Sequence, residues 1–318
     1  MRLGGVIGVL ALSLLTAASA LAQRRTPGYA WNEEGWRFRE HDRPVKVVLL
    51  AGSIGAFRDR PYSRVLHQWC ENAEIRNLSQ VGAGAPQLLS RFRRQVLQNR
   101  NVPLRAPGTE MWLVFAGGMN SVGVPRRSAR AMRSMFELAH RNRMGVIAMT
   151  LTPWGTSGDE DERWAGGRGL RALRSTRRMV DFVHGRLSPE EALGSYVNDR
   201  VAIGSNAPWA DSERPDVVVD LYDSALRDRN ASPWPIDRIT RELRRDPAYR
   251  RSVREVPDEE REARLAADAA ELAAAPAWFL KREYRSFDHI HPNRAGHEVM
   301  ARTICPSLPQ SWGCNCPQ

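Results

Sequence analysis

Lysine is almost missing from this 318-residue chain: Lys46 and Lys281 are the only two among 47 basic residues. The formal net charge of +11 therefore rests on arginines, scattered and interleaved with 36 acids rather than gathered into a basic block. Finger, RNA-binding and P-loop patterns are absent as well, which argues against a nucleic-acid partner despite the charge. Attraction to acidic glycans or anionic envelope surfaces stays open. Cysteine is scarce, with Cys70, Cys305, Cys314 and Cys316 the full set. Their spacing matches no common zinc-ligand pattern, so neither a metal nor another cofactor is expected. No internal repeat is present.

Residues 1–22 read as a signal peptide. Arg2 supplies the positive start, Val6 to Leu15 the apolar stretch, and Ala20-Leu21-Ala22 a small-x-small cleavage site before Gln23. No cysteine follows the cleavage point, which argues against a bacterial-type lipid anchor. The apolar stretch is short for a full span, so no stable membrane insertion is expected after cleavage. Export to a periplasmic or extracellular space would pair the cysteines. Of the three connectivities, the one joining Cys314 to Cys316 closes a very tight ring. A bridge from Cys70 to the tail at 305–318 is therefore expected.

Residues 23–44 read as an irregular arm. From there a domain spanning 45–304 alternates buried strands with amphipathic helices. The short apolar run at 46–50 reads as a strand buried on both faces, 74–78 as a second, weaker strand, and 111–115, 145–151 and 216–221 as three more. Between them, helical spacing appears around 64–72, from 86 onward, at 128–143 and at 168–185. The stripe of Met132 and Met135 reads as core rather than a cofactor site. Segments 155–213 and 228–282 read as insertions. Within the second, 258–280 mixes Glu, Arg and Ala as a solvated helix, a surface feature or a lid. The alternation predicts an α/β fold: a five-stranded parallel sheet in flavodoxin-like order 2-1-3-4-5, covered on both sides.

In such sheets, sites form beyond the carboxyl ends of the strands. Ser53, Gly82 and Asn120 each follow a strand directly, and the stretch from Asp288 to His291 follows the last one. An acid three residues before a histidine can fold back onto one ring nitrogen, leaving the other to accept a proton. A serine hydroxyl needs such a base to become a nucleophile. Backbone N–H groups of Ser53 and Gly82 and the amide of Asn120 could then receive an oxyanion. This set predicts a Ser53–His291–Asp288 triad for acyl transfer. His289 is adjacent to Asp288 and returns awkwardly to the same carboxylate. His297 is expected in the following helix, against the sheet.

These residues resemble the SGNH family, also called GDSL esterases and lipases. Its blocks carry a serine after the first strand, a glycine, an asparagine in a Gly-x-Asn-Asp stretch and a terminal Asp-x-x-His. Here Ser53, Gly82, Gly118-Met119-Asn120 and Asp288 to His291 fall in that order. The resemblance covers most of 45–151 and 214–304 and implies a three-layer SGNH-type sandwich. The implied activity is an exported serine esterase acting on an ester-bearing lipid or carbohydrate. Gly52 stands where the family has an acid before the serine, and Ser121 where it has an acid after the asparagine. Gly84 competes with Gly82 as the second-block glycine; the interval from Asn77 favours Gly82. An envelope O-acyltransferase with the same triad, or a non-catalytic envelope binding protein, are the alternatives.

Overall fold

The computed structural model describes residues 36–155, 166–193, 208–228, 234–274 and 279–317. The expected signal peptide and cleavage site, most of the expected arm and parts of both expected insertions lie outside these residues. Five strands form one sheet: β1 (Val45–Ala51), β2 (Ala73–Asn77), β3 (Glu110–Ala116), β4 (Met144–Met149) and β5 (Val217–Val219). All neighbours pair parallel, in the order β2-β1-β3-β4-β5. This is the expected flavodoxin-like order, with β1 inside the sheet and the strand ends facing one edge.

The helices follow as α1 (Tyr62–Trp69), α2 (Ala85–Phe92), α3 (Pro125–Arg141), α4 (Gly166–Val183), α5 (Pro189–Leu193), α6 (Ile236–Arg245), α7 (Pro247–Ser252), α8 (Asp258–Ala274) and α9 (Arg294–Ile304). Because side chains alternate along a strand, β1 feeds two separate cores. Val48 and Leu50 meet Leu88 and Phe92 of α2 and Met132, Met135 and Phe136 of α3. Val47 and Leu49 meet Tyr62 and Leu66 of α1, Met300 and Ile304 of α9, and Trp312. Burying each such aliphatic side chain is worth about 1.5–3 kcal/mol. The methionine stripe is thus core packing, and the sheet is the middle of three layers.

Lys46 interrupts the apolar run of β1 and is nearly buried. Directly across the β1–β2 register lies Glu74, fully buried, its Oε2 3.0 Å from Lys46 Nζ. Glu74 also accepts the N–H groups of Arg39 at 2.6 Å and Glu40 at 3.0 Å, and pairs with Arg76. Burial opposes its charge, but these donors outweigh that and hold its carboxyl below the ordinary glutamate range. The end of the arm is irregular, as expected, yet this carboxylate fastens it. Trp36 and Phe38 are buried with the first core.

Two elements differ from expectation. β5 is only three residues long because side chains take over its ends. Asp216 Oδ2 accepts the Val146 N–H at 2.7 Å, and Thr150 Oγ1 accepts the N–H groups of Leu221 and Tyr222, both at 2.9 Å. Helix α8 is not solvated all round. Leu265, Ala269 and Leu272 form a buried stripe against Ile239 and Leu243 of α6 and Leu170 of α4. A small third core therefore sits outside the sandwich.

The tail is closed by two disulfides, Cys70–Cys314 and Cys305–Cys316, so the expected bridge from Cys70 runs to Cys314. The sulfurs of Cys70, Cys305 and Cys314 lie within 4.8 Å of one another, but each belongs to a disulfide. Among the described residues no helix is long and apolar enough to cross a membrane.

Candidate active site

β1 delivers Ser53 to the carboxyl edge of the sheet, half-buried, two residues beyond the strand. Its Oγ lies 2.7 Å from His291 Nε2. His291 comes from the loop before α9, which Asn293 holds by capping the helix. The Asn293 side chain accepts the Gly296 N–H at 3.0 Å and donates to the Glu283 carbonyl at 2.8 Å. Asp288 completes the line: Oδ1 accepts the backbone N–H groups of Ile290 and His291, both at 3.0 Å, and Oδ2 bonds His291 Nδ1. Burial opposes ionisation of Asp288, yet the hydrogen bonds from His291 and Ile290 win and keep its carboxyl below the usual carboxylate range. In a neutral imidazole with its proton on Nδ1 facing Asp288, Nε2 is left to accept from the Ser53 hydroxyl.

The fold-back of Asp288 and His291 depends on His289, whose φ is +59°. A left-handed histidine is uncommon and costs backbone energy. Here it lets consecutive N–H groups converge on one carboxylate oxygen. The His289 carbonyl accepts the Gly155 N–H at 2.7 Å, tying this loop to the loop after β4. His289 Nδ1 is buried without a hydrogen-bond partner; of the neighbouring histidines it is His291 that reaches Ser53.

His297 lies in α9, as expected, but its surroundings differ from the sheet contact anticipated. Its ring is fully buried and stacked between Phe57, at 4.3 Å between centroids, and Tyr62, at 5.8 Å. The Tyr62 N–H points to its Nδ1 at 3.4 Å. Burial, aided by the nearby His291, pushes its pKa down to about 3. It stays neutral and structural.

Asn120 sits in the 3₁₀ turn Met119–Ser121 after β3 and donates from Nδ2 to the Ala83 carbonyl at 3.2 Å. A Cβ on residue 52 would lie 2.6 Å from that same Nδ2 and 3.0 Å from the Ala83 oxygen. The place beside the serine where an acid was missed is therefore filled by the Asn120 amide. The two glycines of the second loop have different tasks. Gly82 is exposed with φ +77° and has nothing within 4 Å of a would-be Cβ. Its requirement is backbone conformation, not close approach. Close approach belongs to Gly84, where a Cβ would lie 2.6 Å from Ser121 Cβ.

Ser121, the second missing acid, is a buried junction that the sequence did not announce. Its Oγ accepts the Ala85 N–H at 3.1 Å and lies 2.7 Å from Ser128 Oγ, which donates to the Ser121 carbonyl at 2.9 Å. It thereby fastens the start of α2 to the Asn120 turn. The pairing of a small residue at 84 with a small hydroxyl at 121 is the signal that could have found it.

Neither a family model nor a curated protein matches the chain. Solved structures do. One is a lipase/acylhydrolase from Enterococcus faecalis, 16% identical over 86% of this chain and 98% of that one, with a TM-score of 0.41. A GDSL-like lipase from Bacteroides thetaiotaomicron is 14% identical over 81% and 85%, with a TM-score of 0.42. The acetylxylan esterase Axe2 from Geobacillus stearothermophilus, in a catalytic mutant form, is 12% identical over 86% and 96%, with a TM-score of 0.42.

Proposed function

We propose that this chain is an exported serine esterase hydrolysing an acyl ester of a lipid or carbohydrate. One observation carries the reading: an unbroken hydrogen-bonded line from Ser53 Oγ through both nitrogens of His291 to Asp288. Ser53 Oγ attacks the ester carbonyl carbon while His291 Nε2 takes its proton. Asp288 stabilises the imidazolium that forms without itself taking the proton. The carbonyl oxygen becomes an oxyanion facing the N–H groups of Ser53 and Gly82 and the Asn120 amide. An amide nitrogen carries two protons, so Asn120 can hold the Ala83 carbonyl with one and offer the other. Collapse of the intermediate expels the alcohol, protonated by His291. Water then repeats the sequence on the acyl-serine and releases the acid. Each oxyanion donor is worth about 10²–10³ in rate.

Two disulfides fit an oxidising compartment, which supports export. The test is labelling of the purified protein by a fluorophosphonate together with turnover of 4-nitrophenyl acetate. Both should occur in the wild type and vanish in Ser53→Ala, with the melting temperature kept. Labelling or turnover that survives in a folded Ser53→Ala protein sinks the assignment.

A further inference from the structure

Beside the Asn120 turn lies a cavity of about 840 Å³, walled by Val122 and Gly123 on one side and by α4 and the third core on the other. Its size falls within the range of about 300–1,000 Å³ typical of small-molecule sites. Val122 is two residues from Asn120, so their Cα atoms are at most about 7 Å apart. Helix α4 is fixed to the same edge. Met179 Cε lies 2.8 Å from where a Cβ on Gly118 would stand. Thr176 Oγ1 accepts the Trp154 indole N–H at 3.0 Å. The cavity therefore opens next to the turn that presents Asn120.

Its lining is unusual. Arg171, Arg174, Arg177 and Arg178 of α4 all contribute, and the carboxylates among them are engaged. Asp246 holds Arg171 at 2.7 Å, Asp181 holds Arg186 at 2.9 Å, and Asp268 accepts the Tyr249 hydroxyl at 2.8 Å and Arg264 at 3.2 Å. Glu271 is the remaining acid of the lining among the described residues and is exposed. Arg174 lies over the Tyr249 ring, 5.8 Å from its centroid. Arg178 Nε is buried without a hydrogen-bond partner, a costly state for a charged group. Burial, then the charges of Arg126 and Arg174, press the Arg178 guanidinium below its ordinary range, although Glu191 opposes them. The first turn of α3 adds to the imbalance. It carries Arg126 and no acid at the positive end of the helix dipole.

We propose that this cavity is the subsite for a negatively charged group of the substrate, which makes that substrate an acyl ester of an acidic glycan. The assignment rests on the esterase reading. A planar guanidinium pairs with carboxylate or sulfate through two parallel hydrogen bonds, and an anion in the cavity would stand against Arg174 and Arg178. The lining also offers the Ser175 and Ser252 hydroxyls to a sugar's hydroxyl groups. A sugar acid presents both an anion and hydroxyls. An acyl tail presents neither, and it would strip water from these charges without compensation.

The experiment uses an O-acetylated uronic-acid oligosaccharide, its carboxyl-reduced neutral counterpart and 4-nitrophenyl acetate. The wild type should favour the acidic oligosaccharide in kcat/KM by on the order of 10- to 100-fold. Arg174→Gln/Arg178→Gln should bring that ratio close to one while keeping the wild-type melting temperature. Arg174→Lys/Arg178→Lys, which keeps the charge, should retain part of the preference. A wild-type ratio near one, or a ratio unchanged in the folded glutamine variant, overturns the subsite while 4-nitrophenyl acetate turnover leaves the esterase reading standing. The reverse failure is also visible. If no ester is turned over, calorimetric binding of the acidic oligosaccharide alone, lost in the glutamine variant, keeps the subsite and rejects the esterase. Arginine-dependent binding of phosphatidylglycerol vesicles in place of the oligosaccharide overturns the glycan assignment.

Discussion

Adding one methyl group at residue 52 tests how the site is built. Gly52→Ala places a Cβ 2.6 Å from Asn120 Nδ2 and 3.0 Å from the Ala83 carbonyl oxygen. The carbonyl belongs to the backbone and moves little. The amide is the far end of a side chain and gives way first, swinging Asn120 from its position beside Ser53. If Asn120 is an oxyanion donor, its displacement costs about 10²–10³ in kcat, or roughly 2.7–4 kcal/mol of transition-state stabilisation. Ground-state binding loses little, so KM should hold within a few fold. The assay is steady-state hydrolysis of 4-nitrophenyl acetate by Gly52→Ala, Asn120→Ala and the double variant, with melting curves on each. Because both substitutions remove the same donor, the double variant should be no slower than Asn120→Ala alone. Wild-type kcat in Gly52→Ala, or losses that multiply in the double variant, would refute the reasoning.

The remaining expectations concern the histidines, the buried ion pair and the bridges. His291→Ala should lose on the order of 10²–10⁴ in rate and Asp288→Asn should also be impaired, whereas His289→Ala should turn over if it folds; kinetics paired with melting decides, and the reverse pattern would reassign the base. Glu74→Gln should destabilise the fold by about 3–5 kcal/mol at neutral pH, because it leaves Lys46 buried without its partner. Glu74 is held below its ordinary value of 4.5 in the folded state, so its contribution is complete above that pH and fades as pH falls through the lowered folded value. Urea denaturation across pH should therefore show the gap between wild type and Glu74→Gln narrowing on the acid side; a constant gap would contradict the assignment. Cys70→Ser/Cys314→Ser should lose about 2–4 kcal/mol, measured in the same titration, and an unchanged midpoint would show that the bridge contributes nothing.

What could be read in advance follows a physical rule. The strands at 47–50 and 111–115 are legible because a strand covered on both faces is a nearly continuous apolar run, and little else leaves one. The Asp288–His291 contact is legible because three residues suffice to bring the two side chains together. The meeting of Ser53 with His291, 238 residues apart, is legible only through the rule that loops at strand ends share one edge. Other features leave no local trace. A glycine reads the same whether it serves a positive φ, as at 82, or a close neighbour, as at 84. The end of β5 depends on Thr150, a residue of a different segment. The buried stripe of α8 hides among alanines and ion pairs, because Leu265, Ala269 and Leu272 carry little apolar contrast against that background.

The Cys70–Cys314 bridge sets an order of events during synthesis. The segment around it completes the face of the sheet opposite α2 and α3. Trp312 is fully buried, Asn72 N–H donates to the Trp312 carbonyl at 3.1 Å, and Asn315 N–H donates to the Trp69 carbonyl at 2.9 Å. The edge of the domain laid down first, at α1 and β2, waits for residues made 244 positions later before its core is shut. A growing chain thus cannot shut this face until residue 314 has emerged. Until then the α1–β2 face lacks both its bridge and the Trp312 side chain that fills it.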